Sequence, residues 1–405
     1  MTDDTKDKLK KWALRALVTL IPLVLGALGG NQVMPPKTNT VEVERVVEKP
    51  VPVPHLDEFE NVLDRHGWRP DAEAADKDAA RSVFPTFADT PAGQVAGEEL
   101  PKQVFGWKAV EKLTGKPTPL KDQSPTGSCV GFGSTTCIEH TLAMEILARG
   151  GDPAEFTYFA EEVTYAASKV QGAKSLGASV RRSDGSAGVF VKAWFAHGGG
   201  MVPKGKYGAL DLTDYSAARA KSWNVSGPPA ELLAVAKKYP VKSAAKVANW
   251  QQAKQAMASG YFPAICASWS YSRQRDANGV AAPTSEGWNH CMALTGYVVL
   301  DNGKEYGHIE NSWTKIPGVG PYHTGPTGWG NPTAAGFWAT AESIDRALNQ
   351  GDSFAYSGVT GFPAKKLPVD WFVMAAPRPE AAPALRLQTP FARTSASESR
   401  FPLAW

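Results

Sequence analysis

The sequence predicts an α+β fold in which helices come first and strands later along the globular part of the chain. Three observations carry this. The stretch 129–148 places Ile138, Leu142 and Ile146 at four-residue spacing and stops at Gly150-Gly151. Two strand-like runs, 290–300 and 305–313, flank Asp301-Asn302-Gly303, and Asn-Gly is a strong hairpin signal. Helix-patterned segments occupy 129–259 and strand-patterned segments 261–360. That order predicts two subdomains, a helical half and an antiparallel sheet half, with a cleft between them.

Taken in order, residues 1–11 form a basic segment with Lys6, Lys8, Lys10 and Lys11, expected on the cytoplasmic side. Residues 12–30, "WALRALVTLIPLVLGALGG", are apolar except for Arg15 and predict a transmembrane helix that anchors the chain and leaves the main domain outside the cytoplasm. The alternative is a secretory signal cleaved after Ala27-Leu28-Gly29. Residues 31–55 carry prolines at 35, 36, 50, 52 and 54 and predict an extended stalk. Residues 56–98 hold a helical pattern around "LDEFENVLDRHGW" and the charged run "DAEAADKDAAR", and read as a spacer or a propeptide-like segment. The main domain spans 99–362. Helices are predicted at 129–148, 155–170, 187–197, 229–238 and 250–259, the last with Asn249 as N-cap and Gln252 three residues on. Strands are predicted at 261–271, 290–300, 305–313, 335–340 and 353–360. Residues 363–405, rich in Pro, Ala, Arg and Ser, read as a mostly disordered tail.

Composition narrows the function. A formal charge of +3 over 405 residues gives no electrostatic footprint for nucleic acid. Four cysteines in a chain of this length exclude a disulfide scaffold. Cys137-Ile138-Glu139-His140 is half of a zinc pattern with no second half, so no metal or other cofactor is expected. Cys137 and Cys266 read as buried core residues, and a Cys266–Cys291 disulfide is conceivable. His140, His197 and His323 lack partner patterns, and strand alternation puts His308 on the face opposite Asn311. Asn224-Val225-Ser226 matches a glycosylation sequon, a motif common by chance.

The chemistry-bearing residues are Gln123, Cys129, His290 and Asn311, in that order. Only a thiolate attacks well, and a thiol pKa falls beside an imidazolium or at a helix N-terminus. Cys129 is placed at the first turn of the predicted 129–148 helix. His290 is the candidate base and Asn311 the group that orients its ring. The Cys129 N–H and the Gln123 amide are candidate donors to a tetrahedral oxyanion.

The segments "KDQSPTGSC", "WNHCMALTGY" and "IENSW", with Gln123 six residues before Cys129, resemble the papain-like cysteine peptidases over about residues 100–362. The resemblance is to a divergent, bacterial or phage-like member. It implies a papain-like two-subdomain fold, hydrolysis of a peptide or protein substrate through an acyl-enzyme, a monomeric catalytic domain and no cofactor. It also implies that Trp313 shields the Asn311–His290 pair, and that Gly185, Ser186, Ala267 and Cys291 line the substrate. Within Asp184-Gly185-Ser186-Ala187-Gly188, glycine permits close approach of a substrate backbone. The chain departs from the family at Val130, usually Trp, at Thr314, usually Gly, and at Thr126, often Cys. An insertion at 315–327 precedes Gly328-Trp329-Gly330. Two alternatives stand beside peptide hydrolysis: a catalytically silent papain-fold binding or structural protein, and a cell-wall amidase or transpeptidase using the same thiol chemistry.

Overall fold

The computed structural model describes residues 66–96, 100–268, 270–285, 287–313 and 335–358. The described elements have the predicted α+β composition. The helices are α1 (Ala72–Arg81), α2 (Gly106–Thr114), α3 (Cys129–Ala148), α4 (Glu161–Ala167), α5 (Gly188–Ala196), α6 (Ala217–Ser222), α7 (Ala230–Ala236), α8 (Trp250–Ala258) and α9 (Ala341–Leu348), with shorter turns at Pro91–Val95 and Ala173–Ser175. The strands are β1 (Gln103–Phe105), β2 (Lys206–Tyr207), β3 (Leu210–Asp211), β4 (Ala244–Lys246), β5 (Pro263–Ala267), β6 (Ser270–Arg275), β7 (Ala281–Thr284), β8 (His290–Val299), β9 (Glu305–Glu310), β10 (Phe337–Thr340) and β11 (Phe354–Tyr356).

The main sheet runs β10-β9-β8-β5-β11-β4, with β1 paired to the far half of β8, and every pairing in it is antiparallel. Its centre is β8, all of whose residues but the last are buried. The β8–β9 hairpin closes where Asn302-Gly303 signals it, with Gly303 at φ 79° and the Leu300 N–H donating to the Lys304 carbonyl. A register shift between Leu294 and Gly296 marks a bulge.

Helix α3 lies against β8 and has the predicted limits. It is buried nearly all round because the sheet covers one side and α4 the other. Gly133 makes the sheet contact possible: a Cβ there would come 3.2 Å from the backbone and Sγ of Cys291. Helix α8 starts as its cap predicts. Asn249 Oδ1 accepts from the Gln252 N–H at 2.9 Å, while the Gln252 side chain accepts from the Ala248 N–H at 3.0 Å.

Some expectations need correction. The predicted transmembrane helix finds no support: among the described residues no helix is long and apolar enough to cross a membrane. The longest, α3, has 20 residues, yet it carries Glu139, His140 and Glu145 and packs within the domain. The segment 12–30, the stalk 31–55, the tail 363–405 and the insertion 315–327 lie outside the described residues. The helix predicted at 155–170 begins only at Glu161 and continues as a π-helical stretch, Ser168–Gly172. The strand predicted at 261–271 is two strands, β5 and β6. His66-Gly67-Trp68, the end of the segment read as a helical pattern, is extended, with Trp68 bridged in parallel to Ser186.

Candidate active site

Cys129 is the first residue of α3 and is fully buried. Burial pushes its thiol up to about 11. Backbone hydrogen bonds from Cys291, Gly67 and Val130 and the charge of Arg69 oppose that shift. Cys129 does stand at the helix N-terminus, where the sequence argument expects a lowered thiol pKa, but burial wins and the thiol lies above its ordinary value. The thiol touches the backbone of Cys291, one residue beyond His290.

His290 opens β8, and Asn311 follows the last residue of β9. The antiparallel hairpin brings these two ends together. His290 Nε2–H donates to Asn311 Oδ1 at 2.8 Å, and the Ser312 N–H donates to the same oxygen at 2.8 Å. That bond fixes the proton of the neutral ring on Nε2 and makes Nδ1 its acceptor nitrogen. Trp313 is buried and lies over the imidazole, with ring centroids 4.2 Å apart and planes at 32°. Trp288 packs against Trp313 at 4.7 Å, and His66 stacks on Trp313 at 5.8 Å. The Asn311–His290 pair is thus screened from water by a cluster of rings, of which the sequence argument named only Trp313.

Gln123 is fully buried and locked by its carbonyl oxygen, which accepts from Ser312 Oγ at 2.8 Å and Trp313 Nε1 at 3.1 Å. Its Nε2 donates to the Thr126 carbonyl at 2.6 Å. The amide thus has a fixed direction, and one of its two N–H bonds holds the 123–128 loop in the state described. The Thr126 and Ser128 hydroxyls bond each other and the Tyr215 hydroxyl at 2.7–2.8 Å, which pins this loop just before Cys129.

The non-glycine residues with positive φ, among those described, are Ser124 at 54° and Asn289 at 45°. Each sits one residue from a proposed catalytic group, Gln123 and His290. Non-glycine residues populate this region sparsely, so the surrounding contacts must hold them there.

The segment His66–Arg69 runs between Ser186, before α5, and Asn289, before β8, and crosses the Cys129 thiol. Trp68 N–H donates to the Asn289 carbonyl, Arg69 N–H to the Ser186 carbonyl, and Ser186 N–H to the Gly67 carbonyl, each at 2.8 Å. Gly185, at φ 108°, passes so close that a Cβ there would lie 2.6 Å from Gly67 O and Arg69 Cγ. Gly185 and Ser186 therefore contact an extended backbone, as the resemblance implied for substrate, but the backbone is the chain's own. Cys291 and Ala267 lie on the neighbouring strands: Ala267 pairs with His290, and Cys266 pairs with Cys291, to which it is joined by a disulfide.

Buried charge braces the site. Lys121, two residues before Gln123, is paired with Glu139 at 2.7 Å and Glu161 at 3.0 Å, and so ties the loop to α3 and α4. His140 Nε2 lies 3.3 Å from Glu310 Oε1 and its Nδ1 2.8 Å from the Thr136 carbonyl, which joins α3 to the residue before Asn311. Burial, the largest influence on either group, disfavours both charges. Glu310 nonetheless holds His140 above the usual histidine range, and His140 holds Glu310 below the usual carboxylate range. His308 is buried, with Nδ1 2.8 Å from Thr295 Oγ1 and its ring against Trp107 and Trp338, so it lies on the face away from Asn311. Asn224 is buried and bonded to Tyr165, Lys169 and the Arg182 carbonyl, a position closed to glycosylation in this state.

No family model and no curated protein matches the chain. Among solved structures, the chain is similar to xylellain, a cysteine protease from Xylella fastidiosa, at 18% identity over 73% of this chain and 96% of that one, with a TM-score of 0.44. It is similar to proCathepsin B S9 from Trypanosoma congolense at 10% identity over 74% and 88%, with a TM-score of 0.46. It is also similar to digestive procathepsin L 3 of the Tenebrio molitor larval midgut at 14% identity over 74% and 78%, with a TM-score of 0.42. The likeness to these papain-like cysteine proteases is one of fold.

Proposed function

We propose that the chain is a cysteine-type peptidase that cuts peptide bonds through Cys129 and His290. The observation that carries this reading is the hydrogen bond from His290 Nε2–H to Asn311 Oδ1 beneath Trp313, with the buried Cys129 thiol against the next residue of the same strand. An imidazole held by an amide oxygen on one nitrogen is built to pass a proton at the other.

In the proposed cycle Nδ1 of His290 takes the Cys129 proton, and the thiolate adds to the carbonyl carbon of the scissile peptide bond. The oxyanion is met by the Cys129 N–H and by the Gln123 amide, whose direction Ser312 and Trp313 set. The protonated His290 gives its proton to the leaving amine as the C–N bond breaks, which leaves a thioester on Cys129. Water, deprotonated by His290, attacks the thioester and releases the carboxylic acid and the thiol.

The arrangement described is a closed one. Gly67 covers the thiol and the segment 66–69 fills the cleft, so substrate binding requires this segment to leave. A covered thiol also suits the catalytically silent reading, and one experiment separates the two. Full-length chain, wild type and Cys129→Ala, is incubated with an epoxysuccinyl thiol inhibitor and a fluorogenic peptide mixture. Hydrolysis and a single mass adduct in the wild type, both absent from the variant, are expected. A wild type that neither reacts nor hydrolyses after the segment is displaced would sink the proposal.

A further inference from the structure

The edge formed by Gly185 and Ser186 is held from behind as well as from in front. In front, Ser186 pairs with Gly67 and Arg69. Behind stand three buried side chains, Tyr165, Lys169 and Asn224. The Gly185 N–H donates to the Tyr165 hydroxyl at 3.1 Å, and that hydroxyl donates to Asn224 Oδ1 at 2.9 Å. Asn224 Nδ2 donates to the Arg182 carbonyl at 2.8 Å. Lys169 Nζ donates to the Ser183 carbonyl at 2.5 Å and also to Asn224 Oδ1. The main chain of 182, 183 and 185 is thus tied to one polar cluster, and Lys169 is its only cation.

Lys169 lies in the π-helical stretch Ser168–Gly172 and is 2% exposed. Its partners are neutral oxygens: among the described residues no carboxylate pairs with it. The charges on the elements around it are engaged elsewhere. Lys192 of α5 is paired with Asp78, Glu161 of α4 with Lys121 and Lys204, and Glu162 with Arg219. The turn Ala173–Ser175 adds one more cation, Lys174. Burial holds the Tyr165 phenol far above its ordinary value, so it stays neutral. Burial is also the largest influence on Lys169 and pulls its amine down to about 8; Asp184 opposes the fall, and Arg181 and Arg69 of the covering segment add to it. We infer that Lys169 is the positioning residue of this edge and that a proton operates it: as an amine it holds residues 182–185 in place, and as an ammonium it loosens them.

The sign follows from linkage. A buried ammonium without a countercharge gains more from water than from neutral oxygens. An opening of the edge that hydrates Lys169 therefore takes up a proton. The open state binds more protons between pH 8 and the ordinary lysine value of 10.5, so its population grows as pH falls through that window and levels off below it. Full return to the ordinary value corresponds to a change of about 300-fold, and partial hydration to about tenfold. A substrate backbone lying where residues 67–69 lie would meet the same edge; that consequence alone rests on the peptidase reading.

The test uses full-length chain, wild type and Lys169→Met, which is neutral at every pH. Hydrogen exchange at the Gly185 and Ser186 amides is followed by mass spectrometry between about pH 6.5 and 9.5 and corrected for the intrinsic exchange rate. Wild-type protection should fall about tenfold as pH drops from about 9.5 to 7.5 and stay level below that, while Lys169→Met keeps one level throughout. A merely structural brace would shift the level and leave the pH dependence alone, so parallel profiles overturn the inference. In spectra of lysine labelled at Cε, one resonance, absent from Lys169→Met, should titrate near pH 8. A Lys169 midpoint at the ordinary lysine value also overturns it. If Lys169→Met does not fold, Asn224→Asp gives the ammonium a carboxylate; the midpoint should rise and the exchange profile flatten, and an unchanged profile counts against Lys169. Fluorogenic peptides then test the consequence for substrate. KM should rise about tenfold over the same fall in pH in the wild type relative to Lys169→Met. A KM that does not follow a pH-dependent edge overturns that consequence. No hydrolysis beside a pH-dependent edge counts against the peptidase reading and leaves the positioning role standing.

Discussion

Replacing Gly67 by alanine should uncover Cys129. A Cβ on Gly67 would lie within 2.5 Å of the carbonyl oxygen, carbon and Cα of Gly127. These are backbone atoms of the loop that leads into Cys129, and they cannot swing aside as a side chain would. The segment must therefore lift. It is held by three backbone hydrogen bonds at 2.8 Å, each contributing about 1 kcal/mol net, and by the buried Trp68 side chain, which adds about 2–3 kcal/mol. Loss of the three backbone bonds alone, about 3 kcal/mol, raises the open population roughly a hundredfold. Opening also returns water to a thiol that burial now pushes up to about 11. The assay is the rate of Cys129 alkylation by iodoacetamide, followed by peptide mass spectrometry. Cys137, a free buried thiol two turns along the same helix, is the internal control. The expected result is a Cys129 rate up about a hundredfold with Cys137 silent. Equal acceleration of both would mean unfolding, and an unaccelerated Cys129 in a folded protein would refute the account of the cleft.

Three further outcomes follow from the same geometry. Asn311→Ala removes the acceptor for His290 Nε2–H, and kcat should fall about tenfold to a hundredfold, the worth of a hydrogen bond to a group that becomes charged in the cycle, with KM little changed. Asp352 has its pKa raised by burial from 3.8 to about 6, with Trp68, Gly188 and Val189 opposing the rise. The folded state then binds more protons than the unfolded state between pH 4 and 6, so stability falls as pH rises through that window, by about 3 kcal/mol in all. Denaturant titrations across pH 4–7 should show this fall in the wild type and a flatter profile in Asp352→Asn. Finally, Glu310→Gln removes the carboxylate that keeps a proton on buried His140; the ring then neutralises, and loss of the charge-assisted contact should cost about 1.5–3 kcal/mol near neutral pH. Glu310, held low, contributes above its unfolded pKa and loses that contribution as pH falls; His140, held high, contributes below its unfolded pKa and loses it as pH rises. A neutral urea midpoint in the Glu310→Gln variant would count against the brace.

Where sequence and structure agree, the signal was local. The four-residue spacing of Ile138, Leu142 and Ile146 with the Gly150-Gly151 stop sets α3, and Asn302-Gly303 sets the β8–β9 hairpin that seats His290 beside Asn311. Helix α2 went unread because it begins at Gly106 with no side-chain cap, and α9 because its cap, Thr340, ends a strand. The π-helical stretch 168–172 has no sequence period of its own. His66–Trp68 looked helical because Leu56, Phe59 and Leu63 before it recur at three- and four-residue spacing. It is extended because the cleft offers backbone partners at Ser186 and Asn289. Trp68 and Asp352 could not be paired from the sequence at all: nothing in either neighbourhood points to the other.

The Cys266–Cys291 disulfide joins two strands one residue beyond His290, while Cys129 and Cys137 on the adjoining helix remain thiols. Both cysteines of the tie are buried, so a dithiol that reduces exposed sulfur meets it slowly. The strand that carries His290 stays fixed to β5 in the same buffer that keeps Cys129 a thiol. Labels found once the 66–69 segment has lifted should therefore fall on Cys129, with Cys266 and Cys291 unmarked.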